Sequence, residues 1–179
     1  MFTTIFVSGY GNSTDGHWQD LWHKQLIGSH WVEQDNWDSP NREDWVDTLN
    51  TLVQSISGPI LFITHSLGGS TVIEWAKQYS ANIIGALIVA VPDVNDPHFP
   101  TAISGYQQPP LAKLPFPSRM LSSTNDPYST FERAEYFAAH WGSDIINMGD
   151  LGHINISSKI GDWPEGKKQL TQFIDSLTH

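Results

Sequence analysis

Cysteine is missing from all 179 residues of the sequence. Its absence removes disulfide staples, thiol nucleophiles, redox pairs and every Cys-containing zinc site together. Basic residues are scarce as well: Lys and Arg number 9 against 19 Asp and Glu, a formal net charge of -10. So acidic a chain has no general attraction for phosphate backbones or anionic lipid, and neither nucleic acid nor a membrane surface is expected as a partner. Nothing approaches the roughly 18 consecutive apolar residues of a spanning helix, and the Met1-Phe2-Thr3-Thr4 start lacks the basic region of a secretory signal. The expectation is a soluble cytoplasmic protein.

What is present is a globular composition, 39% hydrophobic and 12% aromatic with 8 Trp. At 20.0 kDa the chain is expected to form one domain over residues 1–179, large enough to bury its own core but too small for a second catalytic or cap domain.

Residues 3–8 are β-branched and apolar and stop at Gly9-Tyr10-Gly11-Asn12, which predicts a buried strand entering a Gly-rich turn. Trp18, Leu21, Trp22, Gln25 and Leu26 share a helical face, and Trp31 to Gln34 is a short candidate strand. Trp45, Val46, Leu49, Leu52, Val53 and Ile56 repeat at three and four, predicting a helix from Asn41. Strands are predicted at 59–63, 83–91, 118–123 and 144–148, with helices over 67–79, from a Ser129-Thr130-Phe131-Glu132 capping box to Trp141, and after an Asp162 cap. Seven of the 11 prolines fall in 92–117, the one long irregular excursion. Strands alternating with helices, most without polar alternation, predict an α/β fold: a doubly wound, mainly parallel sheet of about six strands.

In such sheets ligands lie at the carboxyl ends of the strands. The third predicted strand runs into Thr64-His65-Ser66-Leu67-Gly68-Gly69 and then a helix, a near match to the G-x-S-x-G elbow that presents a serine nucleophile at a sharp turn. Alone, Ser66 reads more readily as a helix cap than as a nucleophile. A nucleophilic serine requires an imidazole to take its proton and a carboxylate to orient that imidazole, in the chain order Ser, acid, His. Asp126 follows strand 118–123 and His153 follows strand 144–148, so all three are expected to face one crevice; Asp93, after the strand ending at Val91, is the rival acid. An oxyanion hole is expected from the N–H of Leu67 and an N–H of the Gly9-Tyr10-Gly11 turn, that of Tyr10. Trp37 and Trp163 are the expected pocket liners.

Other chemistries fare worse. Gly9-Tyr10-Gly11-Asn12-Ser13-Thr14 lacks the third small residue of a dinucleotide fingerprint, and no Gly-Lys-Ser phosphate loop exists. His17, His23 and His30 are six and seven apart, not the three or four that would put two metal ligands on one helical face, and are expected at the surface. Asp35, Asp38, Glu43, Asp44 and Asp47 read as a solvated acidic face. No metal or cofactor is called for, and the expected partner is a small-molecule ester or amide substrate.

Several linked features carry a family resemblance: the Gly-Tyr turn followed by His17-Trp18 and Trp22, Asp35-Asn36-Trp37 with Pro40 and Trp45, and His65-Ser66-Leu67-Gly68. Asn125-Asp126-Pro127-Tyr128, Gly152-His153-Ile154-Asn155 and Trp163-Pro164-Glu165-Gly166 complete the set. Essentially end to end, the chain resembles small serine hydrolases of the α/β-hydrolase superfamily akin to retinoblastoma-binding protein 9. That resemblance implies a minimal, lidless, cofactor-free hydrolase with Ser66, Asp126 and His153 as its triad. Two residues depart from the pattern: Thr64 stands where Gly is usual, and Ser8 where hydrolases often have His. The alternative is a catalytically weak binding or regulatory protein that keeps the fold, its elbow spoiled by Thr64. The Leu-x-Cys-x-Glu pocket-protein docking motif cannot exist without Cys, so that partner is not expected.

Overall fold

A computed structural model describes residues 2–177. Six strands form one sheet in the order β2-β1-β3-β4-β5-β6. They are β1 (Thr3–Val7), β2 (His30–Trp31), β3 (Ile60–His65), β4 (Ile83–Val89), β5 (Ser118–Ser122) and β6 (Asp144–Asn147). Every pairing is parallel. The α-helices are α1 (Trp18–Gln25), α2 (Arg42–Ser55), α3 (Leu67–Gln78) and α4 (Phe131–Trp141) between strands, and α5 (Pro164–Ser176) after β6. No helix among the described residues is long and apolar enough to cross a membrane.

The side-chain period of two along each strand divides the core between the faces. Ile5, Val7, Ile60, Phe62, Ile88 and Met120 meet Val46 and Leu49 of α2, Val72 and Trp75 of α3 and Phe137 and Trp141 of α4. Their strand neighbours Phe6, Ile63, Leu87, Val89 and Leu121 meet Trp18 and Trp22 of α1 and, toward α5, Trp163. The four central strands β1, β3, β4 and β5, covered on both faces, are almost wholly buried and read as continuous apolar runs, whereas the edge strands β2 and β6 are partly exposed.

Boundaries differ from the sequence reading where a cap is decided by tertiary contacts. Thr130, not Ser129, caps α4, its hydroxyl accepting the Arg133 N–H; Glu132 is then one position too early to close a capping box. Trp163, in the left-handed conformation at φ 48°, precedes Pro164 of α5, while Asp162 is drawn away by Lys167 Nζ at 2.5 Å and Gln25 at 3.0 Å. The short second strand begins at His30, earlier than expected. The five acidic residues from Asp35 to Asp47 are exposed as expected.

Residues 92–117 have no helix or strand, yet the excursion is anchored. Val94, Ile103, Tyr106, Leu114 and Phe116 are buried, the Tyr106 hydroxyl lies 2.7 Å from Thr71 Oγ1, and Ser104 bridges to Asn41. The segment is thus a fixed wall beside the carboxyl end of the sheet.

Candidate active site

β3 leaves the sheet at His65, and the chain reverses into α3 through Ser66, which holds φ 53° and ψ -127°. A non-glycine residue there is strained by about 1–3 kcal/mol, so the surroundings must impose it. They do so by close backbone approach. A Cβ on Gly9 would lie 2.8 Å from Ser66 Cβ, and one on Gly68 only 2.1 Å from Val7 O, so the β1 turn and the first turn of α3 meet with no room for side chains. The Ser66 N–H is held by Val89 O at 2.9 Å.

Thr64 fits this elbow without displacing it. It is fully buried, and the position of a Gly69 Cβ would be 3.1 Å from its Oγ1, so the missing side chain of Gly69 leaves the space that Thr64 fills. Ser8 supports the neighbouring turn, since its hydroxyl donates to Asn12 Oδ1 at 2.8 Å and closes Gly9-Tyr10-Gly11.

Ser66, Asp126 and His153, three residues from three strand ends, come together. His153 Nε2 lies 2.8 Å from Ser66 Oγ, and His153 Nδ1 lies 2.9 Å and 3.0 Å from the two oxygens of Asp126. The Asp126 and His153 side chains are 3% and 9% exposed, so their contact is shielded from bulk water. Asp126 Oδ1 also accepts the Tyr128 N–H, and the Tyr128 ring stands edge-on to His153 at 4.6 Å. Asp93 belongs elsewhere: its carboxylate takes Arg133 Nε at 2.7 Å, and its N–H donates to Tyr128 O, tying the start of the excursion to α4.

Two residues that the sequence did not single out align the loops bearing Asp126 and His153. Ser123 Oγ accepts the Leu151 N–H at 2.9 Å and lies 2.9 Å from Gly149 O, while Asn125 Oδ1 accepts the Gly152 N–H at 2.7 Å. Thr124 Oγ1 donates to Asp150. Asn125 directly precedes Asp126 in the resembling motif, the only sequence signal for this role; Ser123 carried none beyond its place at a strand end.

The cleft over Ser66 has a volume of about 330 Å³. Leu67, Pro92, Phe99, Pro100 and Ile103 form an apolar wall, Asn12, Ser13, Thr14 and Asn155 a neutral polar one. Tyr10, Tyr128 and Ile156 line it too and are partly solvent-exposed, at 45%, 39% and 56%. Tyr10 sits in the turn where the Gly11 and Asn12 N–H groups are taken by Trp37 O and Gly9 O, and Leu67 begins α3, where the N–H has no intrahelical acceptor.

Three expectations need correction. Trp163 does not line the cleft: it is 3% exposed, packed against Trp18 at 5.2 Å and stacked on Trp22 at 5.9 Å. Trp37 also lies outside the lining, its ring edge-on to Trp45 and its carbonyl holding the Gly11 N–H, so it supports the turn from behind. His17 is not at the surface but 5% exposed in the cleft lining, because its Nδ1 caps α1 by accepting the Gln19 N–H. His23 is half-buried between Phe6 and Trp31, and His30 alone of the three is exposed.

The molecule is similar in structure to a putative YdeN-like hydrolase from Pectobacterium atrosepticum, at 28% identity with a TM-score of 0.87, covering 98% of this chain and 92% of that one. The ydeN gene product of Bacillus subtilis is 18% identical with a TM-score of 0.83 over 98% of this chain and 100% of that one. A thermophilic esterase from Thermogutta terrifontis, 16% identical, shares the fold with a TM-score of 0.71 over 99% and 90% of the two chains. Curated proteins yielded no match. A family model described as serine hydrolase matches residues 4–172, which include the elbow and both partner loops, and the chain belongs to that serine hydrolase family.

Proposed function

We propose that the protein hydrolyses small esters or amides through an acyl-enzyme formed on Ser66, with His153 as general base and Asp126 as the carboxylate that orients it. The reading rests on one observation above all: an unbroken chain from Ser66 Oγ through both nitrogens of His153 to Asp126, opening on the cleft. A carboxylate only accepts, so Asp126 keeps the imidazole proton on Nδ1, which leaves Nε2 bare and able to take the Ser66 proton. As Ser66 Oγ attacks the acyl carbon, the N–H groups of Leu67 and Tyr10 receive the oxyanion; His153 then protonates the leaving group and activates water for deacylation. Within this reading the chain is close to the small hydrolases akin to retinoblastoma-binding protein 9.

The alternative, a regulatory protein with a spoiled elbow, draws no support from Thr64, since Gly69 accommodates it. The test is labelling with a fluorophosphonate. Wild type is expected to label and to cleave a short-chain ester, and Ser66→Ala to lose both while melting at a similar temperature. Equal labelling of the two, or none in wild type, overturns the assignment.

A further inference from the structure

His65 is buried beside the reacting groups and has no part in the mechanism above. The alternation along β3 turns it to the α1 and α5 face, opposite Thr64, where its ring lies 4.7 Å from His17, 6.0 Å from Trp18 and 5.1 Å from His153. Its Nε2 is 2.9 Å from the carbonyl oxygen of His153. A carbonyl only accepts, so Nε2 carries the proton and Nδ1 is bare. His153 lies in a stretch, 148–155, without helix or strand; Ile154 packs in the core and bonds from Ser123, Asn125 and Trp18 hold the neighbouring residues, while the His153 carbonyl itself meets His65. Among the described residues, two hydrogen bonds join that stretch to the elbow. One is His153 Nε2 to Ser66 Oγ; the other comes from His65, the residue bonded to Ser66.

We propose that His65 is a positioning residue: its Nε2–H, bonded to the His153 carbonyl, fixes the backbone of the base relative to the strand that carries the nucleophile. Asp126 sets the rotation of the imidazole, and His65 sets the point from which it swings. This deepens the serine hydrolase reading and rests on it. His17 stands edge-on behind His65 and keeps its ring from turning away; its own tautomer is fixed because Nδ1 accepts the Gln19 N–H. Burial first, and then the nearby His17 and His153, hold the His65 pKa well below its ordinary value. His65 therefore stays neutral when His153 becomes a cation, and the bond to the carbonyl persists through the step that needs it.

Three variants separate positioning from core filling. His65→Leu keeps bulk but removes the donor; His65→Gln places an amide donor near the site of Nε2; His65→Asn places one near the site of Nδ1, short of the carbonyl. Displacing a base by about 1 Å costs on the order of 10²-fold in rate. His65→Leu and His65→Asn are accordingly expected to lower kcat and the fluorophosphonate labelling rate by roughly 10- to 100-fold at nearly unchanged KM, while His65→Gln recovers to within about tenfold of wild type. The far-downfield proton resonance of the His153 Nδ1–H to Asp126 bond gives a readout independent of turnover. It is expected in wild type and His65→Gln and broadened in the other two. Wild-type kcat in His65→Leu, or His65→Gln no better than His65→Asn in both rate and resonance, overturns the proposal. If His65→Leu fails to fold, the Gln and Asn pair decides alone. Wild type that shows the resonance but neither labels nor turns over would instead overturn the hydrolase reading, leaving the role of His65 to be judged from the resonance.

Discussion

Two carboxylates, Asp93 and Asp126, follow strands whose carboxyl ends face the cleft, and only their neighbours distinguish them. Both oxygens of Asp126 lie within 3.0 Å of His153 Nδ1, whereas Asp93 is paired with Arg133. Asp126→Asn removes the charge that stabilises the imidazolium and favours the wrong tautomer, and the expected loss in kcat is about 10⁴-fold with the fold intact. Asp93→Asn only weakens the tie between the excursion and α4, so its effect on kcat is expected to stay under about tenfold. Ester turnover by the two variants checks this, and a reversed order contradicts the assignment of the acid.

At the scale of elements, α1 depends on an unusual cap. His17 Nδ1 accepts the Gln19 N–H, so protonating that nitrogen would remove the acceptor and put a positive charge at the positive end of the helix dipole. Burial, reinforced by His153 and opposed by Asp20, pulls the His17 pKa from 6.5 to about 4. In the unfolded chain the imidazole takes its proton near the ordinary value. The stability contributed by neutral His17 is therefore complete above pH 6.5, declines as pH falls below it, and is gone once pH has passed through about 4. The amount is on the order of 3 kcal/mol, and His65 acts in the same direction. Urea unfolding between about pH 7 and about pH 4.5 is expected to show this acid loss in wild type and a shallower slope in His17→Asn, which keeps a capping oxygen but does not titrate. Identical slopes would show that His17 takes its proton at the same pH in the folded and unfolded states, and would overturn this account of the cap.

The whole molecule sets what reaches the site. A net charge of -10 surrounds a cleft whose described lining contains no Lys, Arg, Asp or Glu, so nothing local offsets the repulsion felt by an anion. Neutral esters are expected to be turned over several-fold faster, in kcat/KM, than esters of equal size carrying a carboxylate. The gap should narrow as salt is raised past about 0.1 M, where the Debye length falls to about 10 Å. Neutral esters themselves should be insensitive to salt. Equal rates for the two, or a gap that salt does not change, would show that the overall field plays no part in selection.

Features that depend on neighbours along the chain are legible in the amino-acid order. Apolar runs of strand length and residues repeating at three and four marked the order of strands and helices, and the absence of polar alternation marked a sheet covered on both faces. Because ligands gather where parallel strands end, Ser66, Asp126 and His153 stand out in that order along the chain, with Asp93 as a rival for the acid. Tertiary structure alone decided what depends on distant neighbours. It assigned Asp93 to Arg133, buried His17, set Trp163 in the core between α1 and α5, and matched Thr64 to the side chain that Gly69 lacks. The bond from His65 to the His153 carbonyl joins residues 88 apart. Periodicity reports which face a residue takes, but partners across such a separation exist only once the sheet has brought the loops together.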